Sequence, residues 1–412
     1  MTENVPVSQY RNPRFDRALT MVGKKSRACA LALAVAGSLG ASAGAFAEDT
    51  LNIATWGGAY SQSQEIAFFE PYAKETGTRI ATEIYDGTLA KIKAMIEGSS
   101  AIDVADVSAG TLEALCKDGL LETIAPSSLT AAPSGESAEL DFLTGGISTC
   151  GIASVAWSTA IAFDRQAFSK AQPSGIASLL DAKRFPGKRA LPNSPRRTLE
   201  LALLADGVDP ANVYTELATQ EGADRAFKAL DKIKGDTYWW DSAEEPMTWL
   251  MEKKATMAAA YSGRMFRAMV GTRQRFGVIW DGQIYDLDLW AIPKSAENKE
   301  GALRFIAFAT DAARLAKQAE LIAYGPMRKS ALLLVGKHPV VDVEMAAFLP
   351  TAPDNFKKAL RFDETWWETN GTALTSRFEA WRGPLAPGQG KPPIIQAKPQ
   401  AEAVPDAAKA LP

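Results

Sequence analysis

Residues 283–294 have the sequence Gln-Ile-Tyr-Asp-Leu-Asp-Leu-Trp-Ala-Ile-Pro-Lys, an apolar run interrupted by two carboxylates. Successive side chains of a β-strand point to opposite faces, so Asp286, Asp288 and Trp290 share one face. A carboxylate in such a strand is costly to bury unless it meets a cation, a metal or several hydrogen-bond donors. This segment therefore predicts a strand that presents negative charge to a positively charged group.

Short apolar strands alternate with helical segments along the chain that precedes this run. The strand candidates are 51–56, 79–85 and 102–107, and the helix candidates that follow them are 64–75, 88–96 and 111–117. Such alternation predicts an α/β fold with parallel sheets and helices packed outside. Ligands bind at the carboxyl ends of strands in sheets of this kind, where Trp56, Asp86 and Ser108 lie.

Two longer apolar segments predict a division into two lobes. Residues 152–163 form a strand that leaves the first lobe, and residues 284–292 form the strand that returns to it. We expect lobe 1 to comprise 48–158 plus 285–382, with helices at its C-terminal end, and lobe 2 to comprise 159–284. A mature chain of about 365 residues is larger than one compact core, which also favours two lobes. The acidic strand then lies at the hinge.

The N-terminal segment has the organisation of an export signal. Lys24, Lys25 and Arg27 precede an apolar run of small residues, 28–39, and an A-x-A sequence ends at Ala47. Residues 1–47 are therefore predicted to be a leader and signal peptide cleaved near Ala47, with translation starting at Met1 or Met21. A buried Ala-rich helix or a membrane anchor is the alternative, although the run is short for a membrane span. We expect a periplasmic protein.

The two ends of the chain also affect its charge and its order. Removal of residues 1–47 takes away six basic and two acidic residues, so the formal charge changes from −3 to −7. No basic block is present, which argues against a nucleic-acid partner. Residues 383–412 are rich in Pro, Ala, Gly and Lys and are predicted to form a disordered tail.

Two cysteines remain after cleavage, Cys116 and Cys150. An even number of cysteines in an oxidising compartment predicts one disulfide between them. Two separate buried thiols are the alternative.

Catalytic motifs are scarce in this sequence. Its single histidine, His338, lies in a Gly-Lys-His-Pro turn and is expected at the surface. The sequence contains no nucleophile elbow, no P-loop and no Cys/His spacing typical of a metal site. We expect no cofactor. Three other interpretations of Asp286 and Asp288 are a metal-binding D-x-D, a carboxylate pair of an exported hydrolase, and a solvated strand edge without function.

The ten tryptophans favour a different role for these carboxylates. Several are at strand ends or beside polar residues, while others are expected in the core. Aromatic rings beside carboxylates form a site for an amine, because ring faces attract cations and carboxylates pair with them.

Several motifs together resemble a known family. They are Trp56-Gly-Gly-Ala-Tyr60, Phe69-Glu-Pro-Tyr-Ala-Lys-Glu-Thr-Gly77, Leu180-Asp-Ala-Lys-Arg-Phe-Pro-Gly-Lys188, Asp288-Leu-Trp-Ala-Ile-Pro293 and Tyr324-Gly-Pro-Met-Arg-Lys-Ser330. Their order and spacing, over residues 50–382, resemble the spermidine/putrescine-type solute-binding proteins of ABC importers. The resemblance implies the two-lobed periplasmic binding protein fold of type II, with two crossover strands at the hinge. It also implies a monomer that closes on a small ligand and delivers it to the transmembrane subunits of a permease.

The resemblance also implies site residues in this sequence. Trp56 and Tyr60 match the first aromatic wall of the family, Ser108 and Ser242 match polar contacts of the two lobes, and Tyr261 occupies the place of a stacking tryptophan. Asp288 matches the acid that binds an amine, and Trp240 adds to the aromatic packing around the ligand chain.

Two departures from the family pattern change the expected ligand. Asp286 occupies a position that is usually aromatic, and Ser194 and Arg197 replace an acidic pair in the stretch 192–198. An arginine at a helix N-terminus favours a carboxylate and repels a second ammonium group. We therefore expect an amino-acid-like zwitterion, with Asp286 and Asp288 on its ammonium group, and keep a di- or polyamine as the nearest alternative. An exported hydrolase that uses the two aspartates is the alternative from another class.

Overall fold

The computed structural model describes residues 50–98 and 100–385. The predicted leader and signal peptide, 1–47, and the predicted tail from residue 386 onward lie outside the described residues. Within the described part, no helix combines the length and the apolar character that a membrane span requires.

Ten strands form one sheet, and their bounds are β1 (Thr50–Thr55), β2 (Arg79–Ile84), β3 (Val104–Ser108), β4 (Gly151–Asp164), β5 (Arg189–Pro192), β6 (Thr237–Trp240), β7 (Met257–Tyr261), β8 (Phe276–Ala291), β9 (Gly325–Pro326) and β10 (Leu360–Arg361). The strand order is β2-β1-β3-β8-β4-β7-β5-β6, with β9 on β4 and β10 on β8. The predicted α/β class is confirmed.

The sheet is mixed, whereas the alternation of elements predicted parallel sheets. Parallel pairs occur at its two ends, where β1 joins β2 and β3 and where β5 joins β6 and β7. The central pairs β3–β8, β8–β4 and β4–β7 are antiparallel. Parallel neighbours require a crossover connection, usually a helix, between them. β4 and β8, in contrast, are the two strands that the sequence predicted to cross between the lobes. They carry the chain in opposite directions, so they pair antiparallel.

Fifteen α-helices surround this sheet in the described residues: α1 (Gly58–Gln64), α2 (Glu70–Thr76), α3 (Leu89–Glu97), α4 (Ala109–Lys117), α5 (Ala138–Asp141), α6 (Pro195–Ala205), α7 (Val213–Leu217), α8 (Gln220–Asp231), α9 (Glu245–Met251), α10 (Ser262–Gly271), α11 (Lys299–Ala309), α12 (Ala312–Leu321), α13 (Lys329–Leu332), α14 (Pro353–Phe356) and α15 (Glu364–Arg382). A π-helical segment, Glu65–Phe69, joins α1 to α2. Short 3₁₀ helices complete the connections.

Side-chain caps set several helix starts. Thr88 accepts a hydrogen bond from the backbone of Lys91 at the start of α3, and Asp363 accepts one from Trp366 at the start of α15. Asp311 caps α12 in the same way, by accepting from Ala313. Because Asp311 is an N-cap, the segment 300–320, which is amphipathic throughout, forms two helices.

The C-terminal helix packs on elements that the sequence assigned to lobe 2. The rings of Phe378 and Trp381 in α15 lie 5.5 Å and 5.9 Å from the ring of Trp239 in β6. The indole of Trp367 donates a hydrogen bond to Glu200 of α6. α15 therefore contacts elements assigned to lobe 2, in addition to α4 of lobe 1, and the assignment of residues 364–382 to lobe 1 stays a prediction. The other lobe boundaries remain a prediction.

The predicted disulfide is present between Cys116 and Cys150, with a Cα–Cα distance of 6.0 Å. It joins the last turn of α4 to the residue that precedes β4.

His338 is buried, contrary to the surface position expected from its turn. Its ring stacks on Phe266 with the centroids 5.8 Å apart, and its Nδ1 accepts a hydrogen bond from the backbone of Val340. Burial lowers the pKa of the imidazole. His338 therefore contributes to packing.

Candidate ligand-binding site

Asp288 of β8 is a buried carboxylate surrounded by aromatic side chains. It is 0 % exposed, and the indole Nε1 of Trp157 donates a hydrogen bond to its Oδ1 at 3.3 Å. Ser108 lies opposite Asp288 in the β3–β8 pair. Burial, together with the negative charges of Asp106 and Asp288, raises the pKa of the Tyr60 phenol. Asp288 therefore places negative charge in a low-dielectric region.

Asp286 is the ion-pair partner of Arg197. The Nη2 of Arg197 lies 3.4 Å from Oδ2 of Asp286, and the backbone N–H of Leu287 donates to Oδ1 at 2.8 Å. Burial raises the pKa of Asp286 to about 6, Arg197 acts in the opposite direction, and the charges of Asp288 and Glu364 add to the rise. The sequence assigned Asp286 to a ligand ammonium group, and the structure pairs it with a protein cation.

Arg197 faces the interior of the protein and not solvent. It is 8 % exposed. Its Cζ lies 3.9 Å from the ring centre of Phe362 and 5.2 Å from that of Trp157. Within the described residues, its Nε has no hydrogen-bond partner. The guanidinium group is thus held by aromatic rings and one ion pair, with a donor still available.

The backbone that carries Arg197 is strained. Arg197 has φ 67° and ψ −32°, so α6 is interrupted by a kink after its first residue, Pro195. Just before the kink, the Ser194 hydroxyl accepts a hydrogen bond from the backbone of Arg196 at 3.2 Å. A positive φ is uncommon for a residue other than glycine and costs on the order of 1–3 kcal/mol. The kink turns Arg197 inward, whereas Arg196 pairs with Glu364 near the surface.

Aromatic side chains form a continuous wall beside these charges. The ring of Tyr261 contacts Trp157 and Trp240, with centroid distances of 5.5 Å and 5.8 Å in edge-to-face arrangements. The ring of Tyr60 lies 5.9 Å from that of Tyr324. Tyr60, Trp240 and Tyr261 therefore lie in the same region as Asp288 and Arg197, and their contact with a ligand stays a prediction.

Other site residues expected from the sequence have different surroundings. Ser242 is exposed, and its hydroxyl donates to Glu244 within its own turn. Ser108 and Ser194 are half-buried at helix N-termini, where their hydroxyls contact Thr111 and the backbone of Arg196. Trp56 packs on Tyr85 at a centroid distance of 5.3 Å. Their contact with a ligand remains a prediction.

The sequence-based set of site residues omitted Trp157, Phe362, Tyr324 and Glu200. Trp157 lies opposite Asp286 in the β4–β8 pair, and strand register is not visible in a single sequence. Glu200 lies on α6 three positions after Arg197, and Phe362 reaches Arg197 through tertiary packing, since it follows β10, which pairs with β8. Tyr324 begins one of the motifs that carry the family resemblance, so the sequence did contain a signal for it. Trp290, in contrast, is a core residue packed on Phe68, Phe69 and Phe305.

A metal centre receives no support from the described residues. Among them, no three His, Cys, Asp or Glu side chains are grouped so that they could hold a metal ion. Asp286 already contacts an arginine, which would oppose a metal ion held by both carboxylates of the Asp-Leu-Asp sequence.

Comparisons with known proteins agree with the fold. The chain matches the family model described as "Bacterial extracellular solute-binding protein" over residues 67–347. It is 37% identical to the gamma-aminobutyric acid-binding protein of Pseudomonas aeruginosa over 333 residues, which cover 81% of this chain and 90% of that protein. It is 26% identical to the spermidine/putrescine-binding periplasmic protein of Escherichia coli, over 78% of this chain and 88% of that protein.

A solved structure of a binding protein is also similar to this chain in sequence and fold. The Atu4243 GABA receptor is 27% identical and has a TM-score of 0.65, with 82% of this chain and 99% of that chain covered. These relatives are binding proteins, so the hydrolase alternative gains no support from them.

Proposed function

The chain belongs to the bacterial extracellular solute-binding proteins, and from this premise we propose that its ligand is a small ω-amino acid of the γ-aminobutyric acid type. In this family the protein captures a solute outside the cell membrane and delivers it to an ABC permease. The proposed ligand carries an ammonium group and a carboxylate group separated by a short carbon chain. We further propose that the mature protein is a periplasmic monomer, exported by the signal peptide predicted in residues 1–47.

The observation that carries this proposal is the position of Trp157 between two opposite charges. Its Nε1 donates a hydrogen bond to Asp288, and its ring faces the guanidinium group of Arg197. A buried anion and a buried cation therefore contact the same indole, the anion at Nε1 and the cation at the ring face. A zwitterion complements both groups, whereas a ligand with a single type of charge complements only one of them.

Each end of the ligand has a proposed set of partners. Asp288 pairs with the ammonium group, and the aromatic rings of Tyr60 and Trp157 surround it, since cations are attracted to ring faces. Arg197 pairs with the carboxylate, for which a guanidinium group offers two parallel donors. Trp240 and Tyr261 pack against the methylene groups between these ends.

The relatives support an amino acid more than a polyamine. The relative named for γ-aminobutyric acid is 37% identical to this chain over the aligned residues. The relative named for spermidine and putrescine is 26% identical. Arg197 adds a physical reason, because a second ammonium group would approach a buried cation. A di- or polyamine remains the alternative ligand class.

Calorimetric titration with matched ligands tests this proposal. The series would include glycine, β-alanine, γ-aminobutyric acid and 5-aminopentanoic acid, together with putrescine and spermidine as diamine and polyamine. We expect the tightest binding for one member of the ω-amino acid series and at least about tenfold weaker binding of putrescine, from a penalty of ~1.4 kcal/mol or more. Tight binding of a polyamine without measurable binding of any ω-amino acid would contradict the proposal.

A variant of the ammonium partner provides the second arm of the experiment. Asp288→Asn keeps the shape of the side chain and removes its charge. We expect the affinity for the preferred ω-amino acid to fall by at least about 30-fold, since loss of one partner in a buried charge pair costs ~2 kcal/mol or more. Unchanged affinity in this variant would exclude Asp288 as the ammonium partner.

A further inference from the structure

Asp286 and Arg197 form a closed ion pair at the place where the proposed function requires a ligand carboxylate. Their side chains are only 11% and 9% exposed, and the two charged atoms lie 3.4 Å apart. In this structure, Asp286 therefore pairs with the cation that a ligand carboxylate would use. Arg197 has a single guanidinium group, so two carboxylates must share it once a ligand binds.

The groups around Asp286 come from four elements. Arg197 of α6 is the cation, and Asp288 of β8 and Glu364 of α15 add negative charge. Tyr261 of β7 is a neutral phenol that interacts electrostatically with both Asp286 and Arg197. Burial and the charge of Asp286 raise its pKa, and the charge of Arg197 lowers it. Tyr285, also on β8, has its pKa raised by burial and by Asp286. Among these groups, only Arg197 carries positive charge.

Glu200 is a further acidic group near Arg197 and lies on the same helix, α6. Its Oε1 accepts hydrogen bonds from the Trp367 indole at 2.5 Å and from the Tyr214 hydroxyl at 3.4 Å. Burial raises its pKa to about 7. Glu200 is therefore a second carboxyl group near Arg197 with a raised pKa, and an experiment must distinguish it from Asp286.

The charge balance has a direct consequence. We infer that Asp286 serves as an internal substitute for the ligand carboxylate and takes up a proton when a ligand displaces it from Arg197. This inference rests on the proposed function. Two carboxylates that share one buried cation cannot both remain ionised without a large energetic cost, and one of them then binds a proton. The proton comes from solvent or buffer and forms an O–H bond on Asp286. The guanidinium group of Arg197 then pairs with the ligand carboxylate and no longer with Asp286.

The ligand itself does not supply this proton. Its carboxyl group titrates near about 4 and its ammonium group near about 10, so both ends stay charged between pH 6 and 8. Proton uptake in this range therefore reports on the protein. A diamine would have the opposite effect, because a second ammonium group near Asp286 stabilises the carboxylate and favours proton release.

Titration calorimetry in buffers with different ionisation enthalpies measures the number of protons exchanged. The wild-type protein would be titrated at pH 7 with γ-aminobutyric acid in phosphate, in imidazole and in Tris. We expect uptake of about 0.5–1 proton per ligand, together with an affinity that falls as the pH rises from 7 to 8. An observed enthalpy that is the same in all three buffers would overturn the inference and leave the proposed function intact. Absence of binding would instead contradict the proposed function.

Two variants identify the group that takes up the proton. Asp286→Asn cannot titrate, so we expect γ-aminobutyric acid to bind it without proton uptake and with an affinity that is independent of pH between 6 and 8. Glu200→Gln removes the other raised carboxyl group, and we expect proton uptake to persist in this variant. Uptake that survives in Asp286→Asn, or that disappears only in Glu200→Gln, would overturn the assignment. Circular dichroism and thermal unfolding would verify that both variants are folded.

Discussion

At the residue scale, the unusual feature of this protein is an arginine that combines a positive φ with burial. A residue in a strained conformation persists only where the surrounding structure holds it, and such residues cluster at functional sites. Here Phe362, Trp157 and Asp286 hold Arg197. The kink at the start of α6 is thus in keeping with the ligand-binding role proposed for Arg197.

The adjacent arginines provide a matched pair of variants. We expect Arg197→Met to weaken the binding of γ-aminobutyric acid by about 30- to 1,000-fold, because ~2–4 kcal/mol is lost when a buried charge loses its partner. Binding of putrescine should weaken less or improve, because a repulsive charge is removed. Isothermal titration calorimetry measures both ligands.

Arg196→Met is the control for the loss of a positive charge from this turn. Arg196 pairs with Glu364, and both side chains are about one-third exposed, so this pair contributes little. We expect its affinity for γ-aminobutyric acid to change by less than about threefold. Equal losses in the two variants would mean that Arg197 has no special relation to the ligand carboxylate.

The sequence predicted the charged residues of this site better than the aromatic ones. Asp288 and Arg197 were identified because a carboxylate in an apolar strand, and an arginine in place of an acid, are visible without any structure. Phe362 is separated from Arg197 by more than 160 positions and reaches it only through tertiary packing. The predicted role of Asp286 stays a prediction, and the sequence could not show that Asp286 has a charge partner, Arg197, in the same chain.

At the element scale, the pair β4–β8 organises the molecule. Both strands were predicted as crossings, and the prediction of their existence is confirmed. Their pairing shifts register between Thr159 and Ile161, next to the lobe boundaries proposed from the sequence, and Gly282 adopts φ 72° in the facing segment. Local periodicity predicts a strand but not its partner, which explains why the antiparallel centre of the sheet was not foreseen.

The disulfide ties α4 to the beginning of β4, and its removal should affect stability more than binding. The closed loop between Cys116 and Cys150 spans 34 positions. We expect the Cys116→Ser/Cys150→Ser double variant to lose roughly 3–4 kcal/mol of unfolding free energy, because the unfolded chain gains conformational entropy. Chemical denaturation measures this loss.

Ligand titration of the same double variant separates the two effects. Neither cysteine contacts Asp288 or Arg197 in any described interaction, so we expect the affinity for γ-aminobutyric acid to stay within about twofold of the wild-type value. An unfolding free energy equal to that of the oxidised wild type would show that the bridge contributes nothing to stability.

At the scale of the whole molecule, the two lobes follow from chain length and from the two crossings. The sequence assigns the C-terminal helix, α15, to lobe 1, whereas in the structure this helix also packs on elements assigned to lobe 2. Its apolar residues have helical spacing, which predicts a buried face, but nothing in that spacing states which surface covers it. Trp239, Phe378 and Trp381 form the contact that places α15 on β6 and α8.

The burial of the site argues that the molecule opens to admit its ligand. Asp288 is 0 % exposed and Arg197 is 8 % exposed, so a solute cannot reach either group in this conformation. Exposed contacts bring the first turn of α15 and its preceding strand close to α4. Arg361 lies 3.5 Å from Glu113, and the Thr365 hydroxyl donates to Glu113 at 2.5 Å. Surface contacts of this kind contribute little free energy, so the ligand-free protein should populate an open form.

Small-angle X-ray scattering with and without γ-aminobutyric acid tests this expectation. A ligand that contacts both walls of the site binds the closed form better and shifts the population toward it, which should lower the radius of gyration. Asp288→Asn at the same ligand concentration is the control, because it should remain in the open distribution. If calorimetry shows saturation of the wild type and the scattering curve stays unchanged, ligand binding does not require closure. The buried site would then have to be reached through local motion of side chains such as Phe362.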